Sequence, residues 1–415
     1  MMVMARALSA AKASILSGKG WVGRLMPARA ANDAGGTGPL AGLPYFAKDL
    51  FDIEGEPTVA ASPPRFRARP AVRDATLVAR LRAAGAVLLG TSNMDALAYG
   101  FATSTACYGI ALNPHDASRL CGGSSGGSAA LVAAGVVPFA LGSDTNGSVR
   151  VPAALCGVWG LKPTYGRLSR TGCWPLSHDL DHTGLLACDL EMLERVFAVL
   201  DGYDGADPAS AVAPPPQPVR PGRPRVALAG GYFNQCLEPA VTMAMTDTAR
   251  RLNAVGLIDL PLAAEARAAA YVLTAAQGAC ANRAELATDY AAMDPACRAR
   301  LAAGLAVPYE WVDRAQRLRR HYARRLASIF ADVDIILAPA VPCLAPPIDQ
   351  QEMQLGDTVL PVRAALGLFT QPISFAGLPV LTVPVETVGG LPTGMQLIAA
   401  PWREDLLFAT ARLLL

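Results

Sequence analysis

The chain of 415 residues is poor in charged and aromatic side chains, which make up 17% and 6% of it. Its 36 basic residues nearly balance its 34 acidic residues, and both kinds are scattered along the sequence. Nucleic-acid-binding domains carry clustered positive charge, so this pattern argues against a nucleic-acid partner and favours a small-molecule substrate. Hydrophobic residues make up 52%, which is ample for a large core and excludes disorder along the whole chain.

Cysteine and histidine lack the spacing of a disulfide framework or a metal site. The nine cysteines are odd in number and include no C-x-x-C pair, which argues against both disulfides and a zinc knuckle. The four histidines show no metal-ligand spacing, so we predict no metal and no other cofactor. Reduced thiols are typical of the cytoplasm, where we expect this protein to lie.

Long apolar runs are also missing. The longest, from Ala129 to Leu141, is interrupted by Gly135 and Pro138 and is shorter than the roughly 20 residues that span a bilayer. We therefore expect no membrane association. Residues 1–37 form an atypical N-terminal segment whose basic, Ala-rich composition also occurs in organelle transit peptides.

From Gly42 onward, short apolar runs alternate with helical patterns, which is typical of an α/β fold. The pattern predicts an amphipathic helix over residues 74–84 and a buried strand over 86–89. A Pro-rich stretch at 213–225 predicts a surface connector, because proline fits neither a helix interior nor a central strand. Residues 238–330 have helical spacing and predict a mostly helical insertion.

Three residues stand out as candidates for chemistry: Lys48 in FAKDLFD, Ser124 in CGGSSGGSA and Ser148 in GSDTNGSVR. A neutral hydroxyl is a poor nucleophile and needs a neighbouring base. Lysine can act as that base only where burial disfavours its charged form, and Lys48 follows an apolar segment. A second serine would relay the proton. The competing interpretation is that Lys48 forms a surface ion pair with Asp49.

The turn before Ser148 offers a series of backbone N–H groups. In Asp144-Thr145-Asn146-Gly147-Ser148, the N–H groups of the last four residues are where an oxyanion hole would be needed. Gly147 allows close approach of the backbone, and asparagine tolerates the left-handed conformation better than most residues. The residue types in this loop therefore suit acyl transfer.

Long blocks that follow one another in order resemble the amidase-signature family from Gly38 onward. These blocks are GPLAGLPYFAKDLFD, DATLVARLRAAGAVLLGTSNMD, GGSSGGSAALVAAGVVPFALGSDTNGSVRVPAALCGVWGLKPTYGRLSR, TQPISFAGLPV and GMQLIAAPW. The resemblance implies an amidase domain over residues 38–415, with a central mixed β-sheet flanked by helices. It also implies a Ser-Ser-Lys triad: Ser148 as nucleophile, Ser124 as the bridging serine in a cis peptide, and Lys48 as base.

Within the family, the Asn of GSDTNGSVR, the NPHD of 113–116, FTQPISFAGLPV and AAPWRED resemble the 1-carboxybiuret hydrolase branch most closely. That resemblance implies hydrolysis of a small urea-derived or carboxylated amide, with release of ammonia through an acyl-enzyme on Ser148. Relatives in this branch work with a small accessory subunit. We therefore expect a homodimer or a hetero-oligomer.

Five further residues near the motifs are candidates for contact with the substrate or for support of the triad. Arg150 is expected to anchor its loop through Asp or backbone contacts rather than to bind substrate. Asp181 and His182 lie in DLDHTG, where relatives have a short polar loop near the site. The full set is Ser125, Asp144, Arg150, Asp181 and His182.

Three alternatives remain open. The chain is also similar to the glutaminase component of a tRNA-dependent amidotransferase, although Asn146 and the balanced charge argue against that function. A catalytically silent binding paralogue is suggested by Ala96, Ser104 and Cys107, where relatives carry other residues. Residues 122–126 also match G-x-S-x-G, but that nucleophile elbow requires a later Asp and His in order.

Overall fold

The computed structural model describes residues 2–215 and 222–415. Part of the predicted Pro-rich connector, residues 216–221, lies outside the described residues. The strands are β1 (Val22–Leu25), β2 (Pro44–Lys48), β3 (Val87–Ser92), β4 (Ser104–Thr105), β5 (Gly109–Ile110), β6 (Phe139–Asp144), β7 (Trp159–Lys162), β8 (His182–Ala187), β9 (Val226–Ala229), β10 (Leu257–Ile258), β11 (Ile335–Pro339), β12 (Glu352–Leu355), β13 (Thr358–Pro361), β14 (Val380–Val385) and β15 (Thr393–Ala399).

One large sheet forms the centre of the molecule, and it is mixed. Its eleven strands follow the order β1-β3-β2-β6-β8-β7-β14-β15-β11-β9-β10. Strand β2 runs parallel to both β3 and β6, and β9 runs parallel to β10 and β11, whereas the other pairs are antiparallel. β12 pairs with β13 and β4 with β5 in separate two-stranded sheets.

Helices cover both faces of this sheet. They are α1 (Met2–Leu16), α2 (Pro27–Asp33), α3 (Thr76–Ala83), α4 (Gly126–Ala133), α5 (Arg150–Cys156), α6 (Leu190–Leu200), α7 (Pro239–Arg251), α8 (Ala263–Ala281), α9 (Arg283–Thr288), α10 (Pro295–Gly304), α11 (Tyr309–Ile329), α12 (Val362–Leu366), α13 (Gln371–Ala376) and α14 (Glu404–Ala411). Neighbouring residues of β2 enter different cores, Tyr45 with Ala47 on one face and Phe46 on the other. Side chains alternate across a strand, so a strand buried on both faces is apolar throughout.

The N-terminal segment is part of the sheet. β1 pairs antiparallel with β3, with Val22 opposite Ser92 and Leu25 opposite Gly90. The boundary predicted between residues 37 and 38 therefore coincides with no break in the sheet, because backbone pairing joins the two sides. Residues 238–330 hold α7 to α11 and the short strand β10.

Observed elements lie within a few residues of the predicted ones. The helix predicted over 74–84 is α3, and the strand predicted over 86–89 is the first part of β3. β6 continues to Asp144, into the stretch that the sequence predicts to be a polar turn. Its last residues pair with β8, Ser143 opposite Thr183 and Asp144 opposite His182, which extends the strand.

Candidate active site

Lys48 is the last residue of β2, between two parallel neighbours, and its side chain is fully buried. Its Nζ lies 2.7 Å from Ser124 Oγ and 2.8 Å from Ser143 Oγ. Burial lowers the pKa of Lys48 from 10.5 to about 7, because desolvation disfavours the ammonium, while nearby carboxylates led by Asp95 oppose the shift. A substantial fraction of neutral amine is therefore present near pH 7.

The surroundings of Lys48 orient its lone pair. A neutral amine has two hydrogens and one lone pair, and Ser143 offers two acceptors, its Oγ at 2.8 Å and its carbonyl oxygen at 3.5 Å. With both hydrogens directed to Ser143, the lone pair faces the hydroxyl of Ser124. Sequence reasoning missed Ser143, and the signal was a polar residue inside a buried apolar strand.

The alternative of a surface ion pair between Lys48 and Asp49 is excluded. Both side chains are fully buried, and the Asp49 carboxylate has other partners. It accepts hydrogen bonds from the Tyr108 hydroxyl at 2.9 Å and the Ala61 N–H at 3.1 Å, and it lies 3.4 Å from the Arg24 guanidinium.

A backbone hydrogen bond joins the loop that carries Ser124 to the loop that carries Ser148. The peptide bond between Gly123 and Ser124 is cis, and Ser124 is fully buried just before α4. The next residue, Ser125, donates its N–H to the carbonyl oxygen of Ser148 at 3.1 Å. Its hydroxyl donates to the carbonyl oxygen of Ser143 at 3.2 Å. Ser125 thus holds together the segments that carry the other serines.

Ser148 lies in the turn between β6 and α5 and is 3% exposed. Gly147, before it, has φ of +133°, and a Cβ there would lie 2.1 Å from Thr370 Oγ1. Only glycine fits this position, because any side chain would collide with Thr370. The Asp144 carboxylate accepts the N–H groups of Gly147 at 2.7 Å and of Val149 at 3.2 Å.

Hydrogen bonding narrows the predicted oxyanion hole. The N–H groups of Thr145, Asn146 and Ser148 have no hydrogen-bond partner in the described part of the chain. The fourth candidate, Gly147, already donates to Asp144. Three of the four predicted donors are therefore available to an oxyanion, whereas Gly147 is not, because its N–H already donates to a carboxylate.

Asp144 and Arg150 form a fully buried ion pair beneath this loop. The guanidinium donates to both carboxylate oxygens, at 2.9 Å and 3.0 Å, and also to Thr370 O and Gln396 Oε1. Burial by itself raises the pKa of Asp144, but the charge and hydrogen bonds of Arg150 outweigh it and hold the pKa below the usual range. The structure places both residues as supports of the Ser148 loop.

Comparison with known proteins identifies the family of this chain. The sequence profile of the family described as Amidase matches residues 24–408. This chain belongs to the amidase family. The family resemblance seen in the sequence is thereby confirmed, as is the α/β fold with a mixed central sheet.

The amidase is similar to several curated proteins. It is 47% identical to AtzE, a 1-carboxybiuret hydrolase subunit of Pseudomonas sp. (strain ADP), over 91% of this chain and 84% of that protein. It is 38% identical to a glutamyl-tRNA(Gln) amidotransferase subunit of Chloroflexus aurantiacus, over 89% of this chain and 81% of that protein. Both relatives are named as subunits.

Solved structures are similar over nearly the whole chain. One is described as an inhibitor-bound vestigial protein complex that reveals the evolutionary origins of an s-triazine catabolic enzyme. It has a TM-score of 0.93 and 43% identity, and the match covers 98% of this chain and 93% of that one. A 6-aminohexanoate cyclic dimer hydrolase with substrate has a TM-score of 0.86 and 26% identity, over 99% of this chain and 93% of that one. Amide hydrolysis is thus supported for the amidase.

Asp181 and His182 line a cavity of about 180 Å³ behind Thr145. Thr145 Oγ1 donates to Asp181 Oδ1 at 2.6 Å, and burial raises the pKa of Asp181 despite this hydrogen bond. His182 is the first residue of β8 rather than part of a loop, and its Nδ1 lies 2.7 Å from Leu180 O. Burial lowers the pKa of His182 well below 6.5, so the ring is neutral.

A larger cavity of about 340 Å³ opens onto Ser148. Thr145 and Asn146 line it beside the nucleophile candidate, and Arg363 and Arg300 line another part of its wall. Sequence reasoning missed both arginines. They lie on α12 and α10, far from the serine motifs along the chain, and no local pattern marks them.

The three residues that depart from the family pattern lie elsewhere. Ala96, Ser104 and Cys107 are absent from the described linings of both cavities. In this chain, these three side chains therefore form no part of the described cavity walls.

Residues 2–215 and 222–415 contain no group of three or more His, Cys, Asp or Glu side chains placed to hold a metal ion. No helix in the same ranges is both long enough and apolar enough to cross a membrane.

Proposed function

We propose that this amidase hydrolyses a small carboxylated or urea-derived amide, with 1-carboxybiuret as the first candidate, and releases ammonia through an acyl-enzyme on Ser148. The observation that carries the proposal is the hydrogen bond of 2.7 Å between Ser124 and a buried Lys48 whose pKa is lowered to about 7. A neutral lysine beside a serine hydroxyl is a general base with its relay already in contact.

In the first half of the reaction, Lys48 Nζ accepts the Ser124 proton while Ser124 Oγ accepts the proton of Ser148. The Ser148 oxygen bonds to the amide carbon. The negative charge that develops on the carbonyl oxygen is stabilised by the N–H groups of Thr145, Asn146 and Ser148. The C–N bond then breaks, and the leaving nitrogen takes the proton back from Lys48 through Ser124.

In the second half, water replaces ammonia. Its proton passes through Ser124 to Lys48 as its oxygen attacks the ester carbon on Ser148. The ester bond then breaks, and Ser148 recovers a proton through the same relay. The carboxylic acid or carbamate product leaves, and every proton taken up by Lys48 has been returned.

The choice of substrate is supported by similarity. The relative named as part of 1-carboxybiuret hydrolase shares 47% of the aligned residues. The relatives' names, which describe subunits, also support an assembly, either a homodimer or a complex with a small accessory protein. Light scattering after size-exclusion chromatography of the protein purified from its native host tests this second part. A monomer with full activity would contradict it.

The nucleophile is tested with Ser148→Ala. We expect loss of ammonia release from 1-carboxybiuret, biuret, allophanate, oxamate and malonamate, together with loss of labelling by a fluorophosphonate. The matched control is Ser328→Ala, which removes an exposed hydroxyl on α11 and should leave both readouts unchanged. Undiminished turnover in Ser148→Ala would refute the proposal.

The panel, extended with glutamine, also separates the alternative functions. Ammonia released from glutamine only, and only with a tRNA-binding partner, would indicate a component of an amidotransferase. Binding without turnover of any amide would indicate a silent paralogue.

A further inference from the structure

The charged residues that line the cavity at Ser148 are all positive. Two arginines, Arg300 and Arg363, line it, and none of its described lining residues is Asp or Glu. A cavity lined by positive charge alone attracts an anion and disfavours a cation. The two arginines differ, however, in what they already bind.

Arg300 is committed to the protein. Its Nε donates to Ala296 O at 2.9 Å, its Nη2 donates to Tyr99 O, and its guanidinium lies 4.4 Å from the centre of the Tyr99 ring. These contacts fix Arg300 as part of the wall. It adds positive potential to the cavity but has little freedom to follow a ligand.

Arg363 is uncommitted. It lies in α12, is partly exposed, and makes neither a hydrogen bond nor an ion pair with the described residues. A guanidinium has five N–H donors in a planar fork that matches a carboxylate. Arg363 is therefore the cation in this cavity with donors to spare.

Asn146 leaves an acceptor unpaired. Thr274 uses its hydroxyl hydrogen on Ala270 O at 2.8 Å, so its oxygen accepts from Asn146 Nδ2 at 2.9 Å. This fixes the amide orientation and leaves Asn146 Oδ1 buried without a partner among the described residues. Asn146 lines the cavity two residues before Ser148. A ligand N–H would satisfy this oxygen.

Gln371 leaves a donor unpaired by the same logic. Its Oε1 accepts from Arg267 Nε at 3.0 Å, and arginine can only donate, so the orientation of the amide is fixed. Gln371 Nε2 is buried without a partner in the described ranges, and the side chain lines the cavity. A ligand carbonyl or carboxylate oxygen would satisfy it.

We propose that Arg363 binds the carboxylate of the substrate, while Asn146 Oδ1 accepts from a substrate N–H and Gln371 Nε2 donates to a substrate oxygen. The site then selects an amide whose far end is an anion and whose chain alternates N–H and C=O groups. An α-amino acid amide such as glutamine also carries an ammonium group. With no acid on the described wall, that group would meet positive charge, so glutamine is disfavoured.

This inference rests on the proposed function, and its test uses pairs of related substrates, one anionic and one neutral. Malonamate and malonamide differ by one charge, as do 1-carboxybiuret and its methyl ester. In the unmodified enzyme, we expect kcat/KM to favour the anion of each pair. Arg363→Met should reduce kcat/KM for the anions by roughly 100-fold, mostly through KM, and leave the neutral partners within about threefold.

Two variants serve as controls. Arg363→Lys keeps the charge without the fork and should recover part of the preference for the anion. Arg320→Met removes an exposed arginine on α11 and should change neither member of a pair. An equal loss for anionic and neutral substrates in Arg363→Met would overturn the inference, because it would show a structural role.

A measurement of ligand binding to a variant without the nucleophile distinguishes failure of this inference from failure of the proposed function. In Ser148→Ala, calorimetric titration should show that malonamate binds and that Arg363→Met in the same background abolishes the binding. If malonamate binds equally well with Met at position 363, the inference is wrong even where the nucleophile is right. If malonamate fails to bind Ser148→Ala at all, the carboxylate site is wrong. If the anion preference is intact but Ser148→Ala still turns over, the proposed nucleophile is wrong and the carboxylate site stands.

Discussion

The two sides of the active site differ in how their polar groups are satisfied. The amine of Lys48 has three serine oxygens within 3.5 Å. In the buried pair, Arg150 donates hydrogen bonds to Asp144 and also to Thr370 and Gln396. Around the cavity, Arg363, the Asn146 oxygen and the Gln371 nitrogen have no partner among the described residues.

The difference is between polar groups that the protein satisfies and polar groups that it leaves without a partner. A buried polar group without a partner is costly, so folded proteins keep few of them. On the catalytic side, the protein itself supplies the hydrogen-bond partners of Lys48, Asp144 and Arg150. On the cavity side, the partners are left for a ligand to supply. The same fold thus fixes the surroundings of Lys48 and leaves polar groups of the cavity free to bind a ligand.

The largest expected effect comes from a substitution on the catalytic side. Lys48→Met removes the base, and kcat should fall by about 10³-fold or more, because general-base catalysis of this kind contributes about 10²- to 10⁴-fold. KM should change little. Steady-state kinetics with the best amide of the panel measures the effect.

The control is Lys162, a second fully buried lysine of this sheet, whose Nζ donates to Pro163 O at 3.1 Å and to no other residue of the described ranges. Burial lowers the pKa of Lys162 well below 10.5, as it does for Lys48. Lys162→Met should nevertheless keep most of kcat. If both variants lose kcat equally, contact with Ser124 is not what makes Lys48 special.

The next effect concerns stability on the catalytic side. Arg150→Met leaves the buried Asp144 carboxylate without its counter-ion, and the free energy of unfolding should fall by about 3–5 kcal/mol. Urea denaturation measures it. Adding Asp144→Asn should recover part of the loss, because the uncompensated charge is then gone. The exposed pair Arg250–Asp247 gives the control, since Arg250→Met should cost under about 1 kcal/mol.

The smallest expected effect concerns Ser143 and is a change in the pH dependence of kcat/KM. Because burial lowers the pKa of Lys48 to about 7, kcat/KM should rise as pH increases through about 7, where the ammonium loses its proton, and then level off. Ser143→Ala removes an acceptor that stabilises the ammonium. Its rising limb should move to lower pH, and its plateau should fall about tenfold.

Ser128→Ala is the matched control, since Ser128 is also fully buried but bonds to Ser92 Oγ and Leu141 O instead. Its limb should stay near pH 7. A wild-type limb that rises only near pH 10 would contradict the neutral lysine.

Local sequence was enough for the elements that carry the chemistry. The apolar segment before Lys48 favours burial of the lysine, and β2 ends there with Lys48 fully buried. The turn predicted before Ser148 directly follows β6. These features depend on neighbours within a few residues, so the sequence shows them directly.

Only the tertiary structure decided which groups meet. Ser143 is a hydrogen-bond partner of Lys48 because β6 pairs with β2 in the sheet. The N–H of Gly147 donates to Asp144 because the turn places it beside that carboxylate. Arg363 reaches the cavity from α12, a helix with no sequence link to the serine loops. The sequence by itself determined the candidate residues and the α/β plan. Burial, hydrogen-bond partners and free donors depend on contacts between distant segments, so the lowered pKa of Lys48 and the character of the cavity were decided only on folding.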